Sequence, residues 1–344
     1  MTELAVLDIS PFRSDPSSPA AADVVHELRD ALHRIGFAHI VGHGVSDVLA
    51  ADVQSLSRQF FDLDEAERLA IVNTNSPHFR GYTRLGHERT GGLQDWRDQI
   101  DIGPEDVAEA VSQSDPPWLR LRGPNQWPAT VPLMRPVVSA WMEQMQALGQ
   151  DVLRAIAVGL GQRANHFDAS VRDPHAVAKI IRYPAQAASE ANDGQGVGWH
   201  QDGGLLTFIH QDGIGGLQVQ LPARFGGEVI DAAPVAGAYL LNLGEMLQLT
   251  SSGYLRATRH RVVSPPVGRE RLSVAYFYNP NLAATLPAVV LPEVLAEQTD
   301  GGQNADAADT VHAVFGDNFM KFRMRSHPDV AARHHADLLA VARS

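Results

Sequence analysis

The string Trp199-His200-Gln201-Asp202 sets an imidazole and a carboxylate two residues apart. On an extended strand, residues two apart share a face, so His200 and Asp202 would stand side by side. Two such groups do not make a metal site. A third ligand has to come from a distant segment, and His260 is the candidate, 58 residues beyond Asp202 at the apparent start of a strand (Ala257-Thr258-Arg259-His260-Arg261-Val262-Val263). Two histidines and one carboxylate on one face of a metal leave its other positions open for a substrate and O2, an arrangement suited to non-haem iron(II). The chain has 15 histidines, so a His near an Asp is expected somewhere by chance. It even repeats the string, because His210-Gln211-Asp212-Gly213 copies His200-Gln201-Asp202-Gly203. Local chemistry alone does not separate the two copies. The second runs into Ile214-Gly215-Gly216 between two apolar runs and reads as a hairpin turn, which favours Asp212 as a turn residue.

A second constellation lies 11 residues after His260, where Arg271-Leu272-Ser273 opens an apolar run. Arg271 and Ser273 would share a strand face, and an arginine fork beside a hydroxyl is a good carboxylate receptor. Placed next to a metal-bound keto acid, the pair would anchor its far carboxylate. Tyr183, in Arg182-Tyr183-Pro184, can add a phenolic donor.

These residues need a scaffold. Residues 3–8 look like a short strand. Val24, Leu28, Leu32 and Ile35 form a helical stripe over 20–34, with Gly36 at the C-cap position. Residues 37–41 form another apolar run, and 46–63 a second helix that Ser46 or Asp47 could cap. From Asn73 to Gly103, glycines alternate with Arg80, Arg84, Glu88, Arg89, Asp95 and Arg97, the pattern of a long polar loop that closes over a site. Residues 104–130 read as irregular. The strongest helical stripe spans 132–160, through Val138, Trp141, Met145, Leu148, Val152 and Ile156. After Val177 the period switches to two, with apolar runs at 178–183, 205–209, 217–221, 238–243, 261–263 and 272–278. Many short strands separated by turn residues suggest a sandwich or jelly roll. Helical pattern returns at 310–315 and 330–342.

Composition narrows the class. The chain has 344 residues, 44% hydrophobic and 20% charged, with a formal net charge of −12. Such an acidic chain is repelled by nucleic acid and by anionic membrane surfaces, so neither is an expected partner. There are no cysteines, which excludes disulfides, iron–sulfur clusters and thiol nucleophiles. The first residues show no basic, apolar leader, and no stretch approaches a membrane span, so a cytoplasmic enzyme is the expectation. Oligomeric state is not readable.

With these residues in place, the chain resembles the isopenicillin N synthase-like family of iron(II)- and 2-oxoglutarate-dependent oxygenases. The likeness is carried by Val6-Leu7-Asp8-Ile9-Ser10-Pro11-Phe12, Ile35-Gly36-Phe37, His43-Gly44-Val45, Phe79-Arg80-Gly81-Tyr82 through Thr90, His200 through Thr207, Gly215 through Val219, His260-Arg261-Val262 and Arg271-Leu272-Ser273. It implies an α+β protein with a mainly β core, a double-stranded β-helix (jelly roll) with flanking helices. It implies iron(II) on His200, Asp202 and His260, with 2-oxoglutarate on Arg271, Ser273 and Tyr183, and it rejects the 210/212 copy. It also implies oxidation, by default hydroxylation, of a small-molecule substrate by O2, with release of succinate and CO2. The segment between His260 and Arg271 is slightly long for the family, so Arg269 competes as the anchor. Gly203 stands where some bacterial relatives carry an aromatic, which weakens any case for ethylene formation. By similarity, Glu88, Thr90 and Arg325 are candidates for the substrate pocket, and Arg80 and Tyr82 join them from the same polar stretch. The expected organisation is an N-terminal region over 1–130, a supporting helix and linker over 131–176, a jelly-roll core over 177–285 and a closing helical segment over 286–344. Two alternatives stand: an iron(II) oxidase that uses no 2-oxoglutarate, and a non-catalytic small-molecule-binding protein.

Overall fold

A computed structural model describes residues 3–186, 195–301 and 311–341. Strand β1 (Val6–Asp8) lies parallel to β2 (Phe37–Val41), and helices α1 (Ser10–Ser14) and α2 (Pro19–Arg34) make the crossover between them. Helix α2 starts where Ser18 Oγ accepts the Ala21 amide and Pro19 supplies a first residue that needs no donor. Helix α3 (Asp47–Phe61) is capped by Ser46, which accepts the Leu49 amide at 3.3 Å. A short α4 (Glu65–Leu69) follows.

The stretch expected to be a polar loop includes four short strands. It contains β3 (Gly81–Thr83), the small hairpin β4 (Arg89–Thr90) with β5 (Leu93–Gln94), and β6 (Asp98–Ile102), every residue of which is buried. The charges of β6 do not face solvent. Asp98 meets Arg182 at 2.7 Å, and Asp101 meets Arg323 at 2.7 Å, so the ion partners come from distant segments. Residues 104–130 hold only one 3-10 turn, Pro117–Leu121, as expected. Helix α5 (Met134–Gly159) buries the predicted stripe against α2 and α3.

The second half supplies β7 (Val177–Tyr183), β8 (Gln195–His200), β9 (Leu206–Gln211), β10 (Leu217–Gln220), β11 (Val229–Asp231), β12 (Tyr239–Leu243), helix α6 (Glu245–Thr250), β13 (His260–Val263) and β14 (Arg271–Tyr278). The major sheet runs β1-β2-β12-β9-β14-β7-β6-β3, and the minor sheet β11-β10-β13-β8. Two sheets facing one another with flanking helices make the expected jelly roll. After α7 (Glu293–Ala296) come α8 (Phe315–Ser326), α9 (Pro328–His334) and α10 (Ala336–Val341). The described helix thus begins where the pattern at 310–315 was expected to end; residue 310 lies outside the described residues.

Both faces of the major sheet are buried, and strand alternation sorts them. Leu272, Val274, Tyr276 and Tyr278 of β14 join Leu206 and Phe208 of β9 in the large helix-side cluster. The opposite face carries Ala275, Ile209, Ile181 and Tyr183, which meet Val197, Val219 and Val262 of the minor sheet in a second cluster. Arg271 and Ser273 fall on this inner face by the same parity.

Candidate active site

His200 ends β8 and His260 begins β13, and the two are directly opposed across the antiparallel pair. Their ring centroids lie 4.2 Å apart. Asp202 follows β8, where its carbonyl accepts the Glu245 amide at 2.7 Å and ties it to the start of α6. His200 Nε2 is 3.6 Å and His260 Nε2 3.9 Å from Asp202 Oδ1. One atom from each residue lies within 4.8 Å of the others, the only such grouping with metal-binding side chains among the described residues.

The surrounding hydrogen bonds aim these atoms. His200 Nδ1 lies 2.9 Å from the Gly198 carbonyl, and His260 Nδ1 3.1 Å from the Thr258 carbonyl. A carbonyl can only accept, so each Nδ1 carries the proton and each Nε2 keeps its lone pair for a metal. Thr207 Oγ donates to Asp202 Oδ2 at 2.5 Å, and Asn242 Nδ2 donates to the same oxygen at 2.7 Å. That leaves Oδ1 facing the histidines. Burial works to raise the Asp202 carboxyl, but His260, His200 and the two hydrogen bonds outweigh it and hold it below its usual value. Burial, with His260 alongside, pushes His200 down to about 4, so its imidazole is neutral near pH 7. Two imidazole Nε2 atoms and an ionised carboxylate form a donor set that fits iron(II).

Arg271 is 0% exposed and opposes Tyr183 across β14 and β7, its guanidinium 4.9 Å from the ring centre. It donates to the Ile214 carbonyl, to Gln211 Oε1 and to Ser273 Oγ. No carboxylate among the described residues pairs with it. A buried cation without an anion is costly, so this pocket fits an incoming carboxylate. The competing Arg269 is exposed at a turn, away from this face.

The copied string points elsewhere. His210 falls on the helix side of β9, 3.2 Å from Gln54 and packed on Tyr239. Asp212 Oδ1 accepts the Ile214 amide and Oδ2 the Leu272 amide, the work of a turn residue.

The five substrate-pocket candidates do not gather in one place. Thr90 packs against Gly198, two residues before His200, and donates to Asp95 at 2.7 Å. Glu88 is buried and bonded to Lys179 at 2.7 Å, with Arg97 at 3.2 Å. Its charge is therefore already matched. Arg325 is exposed on α8, 5.4 Å from the Phe322 ring. Tyr82 spends its hydroxyl on Asp98 at 2.9 Å, within the helix-side core. Arg80 contacts Leu121 and His175 and touches no triad residue. The expected closing loop is tied down at two points: β3 and β6 belong to the major sheet, and the segment between them abuts β8 through Asp95 on the Gly198 amide and the Trp96 amide on the Gln195 carbonyl.

Several residues around the site escaped the sequence reasoning. Gln99, Asp101 and Lys179 lie on the inner parity of β6 and β7, and Arg97 links Asp95 to Glu88. The alternation Gln99-Ile100-Asp101-Ile102 was the available signal. Phe322 is another. A side-chain carbon built on Gly203 would meet Phe322 Cε2 at 2.0 Å, so α8 rests on the glycine that follows Asp202.

Two family models match the chain: the N-terminal region of non-haem dioxygenases of the morphine-synthesis type over residues 4–130, and the 2-oxoglutarate/iron(II) oxygenase superfamily over 172–280. A 2-oxoglutarate-dependent dioxygenase of a Dothideomycetidae species is 33% identical, covering 99% of this chain and 94% of that protein. A homoarginine-6-hydroxylase of Glycine max is 32% identical, over 81% of this chain and 86% of its own. Among solved structures, a full-length Neurospora crassa protein in complex with alpha-KG (2-oxoglutarate) and thymine superposes with a TM-score of 0.72 at 26% identity, covering 97% of both chains. These matches carry the 2-oxoglutarate-using reading over the oxidase and the binding protein. The chain belongs to the iron(II)- and 2-oxoglutarate-dependent oxygenases, and it is a dioxygenase that uses iron(II), 2-oxoglutarate and O2.

Proposed function

We propose that His200, Asp202 and His260 hold the iron, that Arg271, Ser273 and Tyr183 receive 2-oxoglutarate, and that the enzyme hydroxylates a small polar molecule. The observation that carries the reading is the convergence of two Nε2 atoms and one carboxylate oxygen whose other polar atoms are all occupied. When bound, iron and 2-oxoglutarate supply the oxidation: 2-oxoglutarate and O2 give succinate, CO2 and one oxygen atom for the substrate. The chain's own residues do the rest. Thr207 and Asn242 keep Asp202 turned toward the histidines, and the Arg271 fork fixes the distal carboxylate.

The substrate end is read from polar atoms that still lack partners. Gln99 Oε1, Arg97 Nε and His327 Nε2 are all buried and lack a hydrogen-bond partner among the described residues. Unsatisfied buried groups of both kinds support a ligand that brings donors and acceptors of its own. Homoarginine and thymine, named with the relatives, are ligands of that kind. A cytoplasmic setting is part of the same proposal; no described helix is long and apolar enough to cross a membrane.

The test compares variants. His200→Ala should lose iron and all succinate formation from 2-oxoglutarate across a panel of polar small molecules, while His210→Ala keeps most of both. Equal loss in the two variants removes the ligand assignment.

A further inference from the structure

We propose that a cavity framed by Pro104, Trp118, Arg122, Arg172, His175 and Asn281 is a second ligand site, for a small carboxylic acid with an apolar body. It encloses about 310 Å³, and neither the triad nor Arg271 lines it. That volume lies at the lower edge of small-molecule sites, roughly 300–1,000 Å³.

The floor is built for an anion. His175 is 4% exposed, and its Nε2 lies 3.3 Å from an Arg80 nitrogen. A guanidinium only donates, so Nε2 must accept and the ring proton sits on Nδ1. Among the described residues nothing accepts from that Nδ1–H, so it is a free donor on a side chain that lines the cavity. Burial first, then the charges of Arg80, Arg323 and Arg122, keep the ring neutral. Behind it, Arg80 is 1% exposed. It has no carboxylate in ion-pair reach among the described residues, and its Nε has no partner. Asp101, Asp106 and Glu105 compensate its charge only from a distance, while Arg323 opposes it.

The walls set the ligand's charge and shape. Arg122 is matched by Asp106 at 3.4 Å, and Arg172 stands beside Asp173. Arg172 makes no ion pair among the described residues, so its guanidinium and the unpartnered His175 Nδ1–H are the donors that an anionic group would meet. Trp118, Pro104, Pro174 and Leu282 give the rest of the wall an apolar surface. A carboxylate on His175 Nδ1–H and the arginines, with a flat apolar body against Trp118, meets both demands.

Benzoate is a suitable probe. The full-length enzyme is loaded with metal and saturating 2-oxoglutarate, so that the Arg271 pocket is filled, and then titrated by calorimetry and tryptophan fluorescence. One saturable site per chain is expected. Arg122→Gln combined with Arg172→Ala should weaken it about tenfold or more, the effect of losing charge-assisted hydrogen bonds. Trp118→Phe should remove the fluorescence response while the heat remains, and Arg271→Gln should leave benzoate affinity unchanged. Absence of saturable heat overturns the proposal. So does binding that survives the double variant, or that disappears with Arg271→Gln.

Discussion

Arg323→Met is expected to cost a large share of the protein's stability although Arg323 touches no proposed ligand of the iron. The side chain is 4% exposed and Asp101 1%. Arg323 donates to Asp101 Oδ1 at 2.7 Å and to the Phe79 carbonyl at 2.6 Å, with its guanidinium 5.4 Å from the Phe79 ring. Breaking a buried pair by deleting one partner costs about 3–5 kcal/mol, and an orphaned buried carbonyl adds about 1–3 kcal/mol. Asp101 would keep Gln99 at 2.6 Å and Lys179 at 3.9 Å, which pulls the total toward the lower end, roughly 4 kcal/mol. A typical domain has about 5–15 kcal/mol to lose. Urea unfolding of the metal-free protein, followed by circular dichroism, measures this directly. Adding Asp101→Leu should restore part of the loss, because an apolar pair leaves no buried charge, giving a coupling of about 2 kcal/mol. A single variant within about 1 kcal/mol of the parent, or a strictly additive double variant, would refute the reasoning.

Further outcomes follow from other contacts. Arg271→Gln should raise the KM for 2-oxoglutarate by roughly two to three powers of ten and leave iron content near that of the parent, since a paired buried carboxylate loses a few kcal/mol; steady-state kinetics with iron analysis checks both. Gly203→Ala should lower turnover by forcing Phe322 away, and Phe322→Ala in the same chain should recover part of it; no recovery would mean that the contact is incidental. The metal-free protein should lose stability as pH falls below 6.5. Burial holds His327 at about 3, so the unfolded chain takes up a proton there that the folded chain refuses. The penalty grows by about 1.4 kcal/mol per pH unit below 6.5 for each such histidine. His327→Gln should therefore shrink the difference in unfolding free energy between pH 7 and pH 5.5 by about 1 kcal/mol.

The string proposed to ligate the metal, the Arg-x-Ser pair and most core strands were visible because their signal is local: period two, or residue type at fixed spacing. Strand β8 was not. Gln195-Gly196-Val197-Gly198 has little strand propensity, and it is extended because β13 pairs with it through an irregular register. Strand β6 was missed for a different reason. Asp98, Gln99 and Asp101 look solvated, and nothing nearby in sequence reveals that Arg182, Lys179 and Arg323 will neutralise them. The parity of His210 was equally hidden, since which face of β9 meets the helices depends on packing by α3 and α5 rather than on the residues of β9.

The long separation between the charged partners also sets an order of events. Asp101 waits for an arginine 222 residues further along the chain, and closing so wide a loop is slow relative to local structure. Helix α8 and the residue that follows it carry three contacts at once: Arg323 on Asp101, His327 beside Glu88 and Phe322 on Gly203. The helix that completes the charge pairing of the sheet is thus the same one that covers the glycine beside the proposed metal ligands.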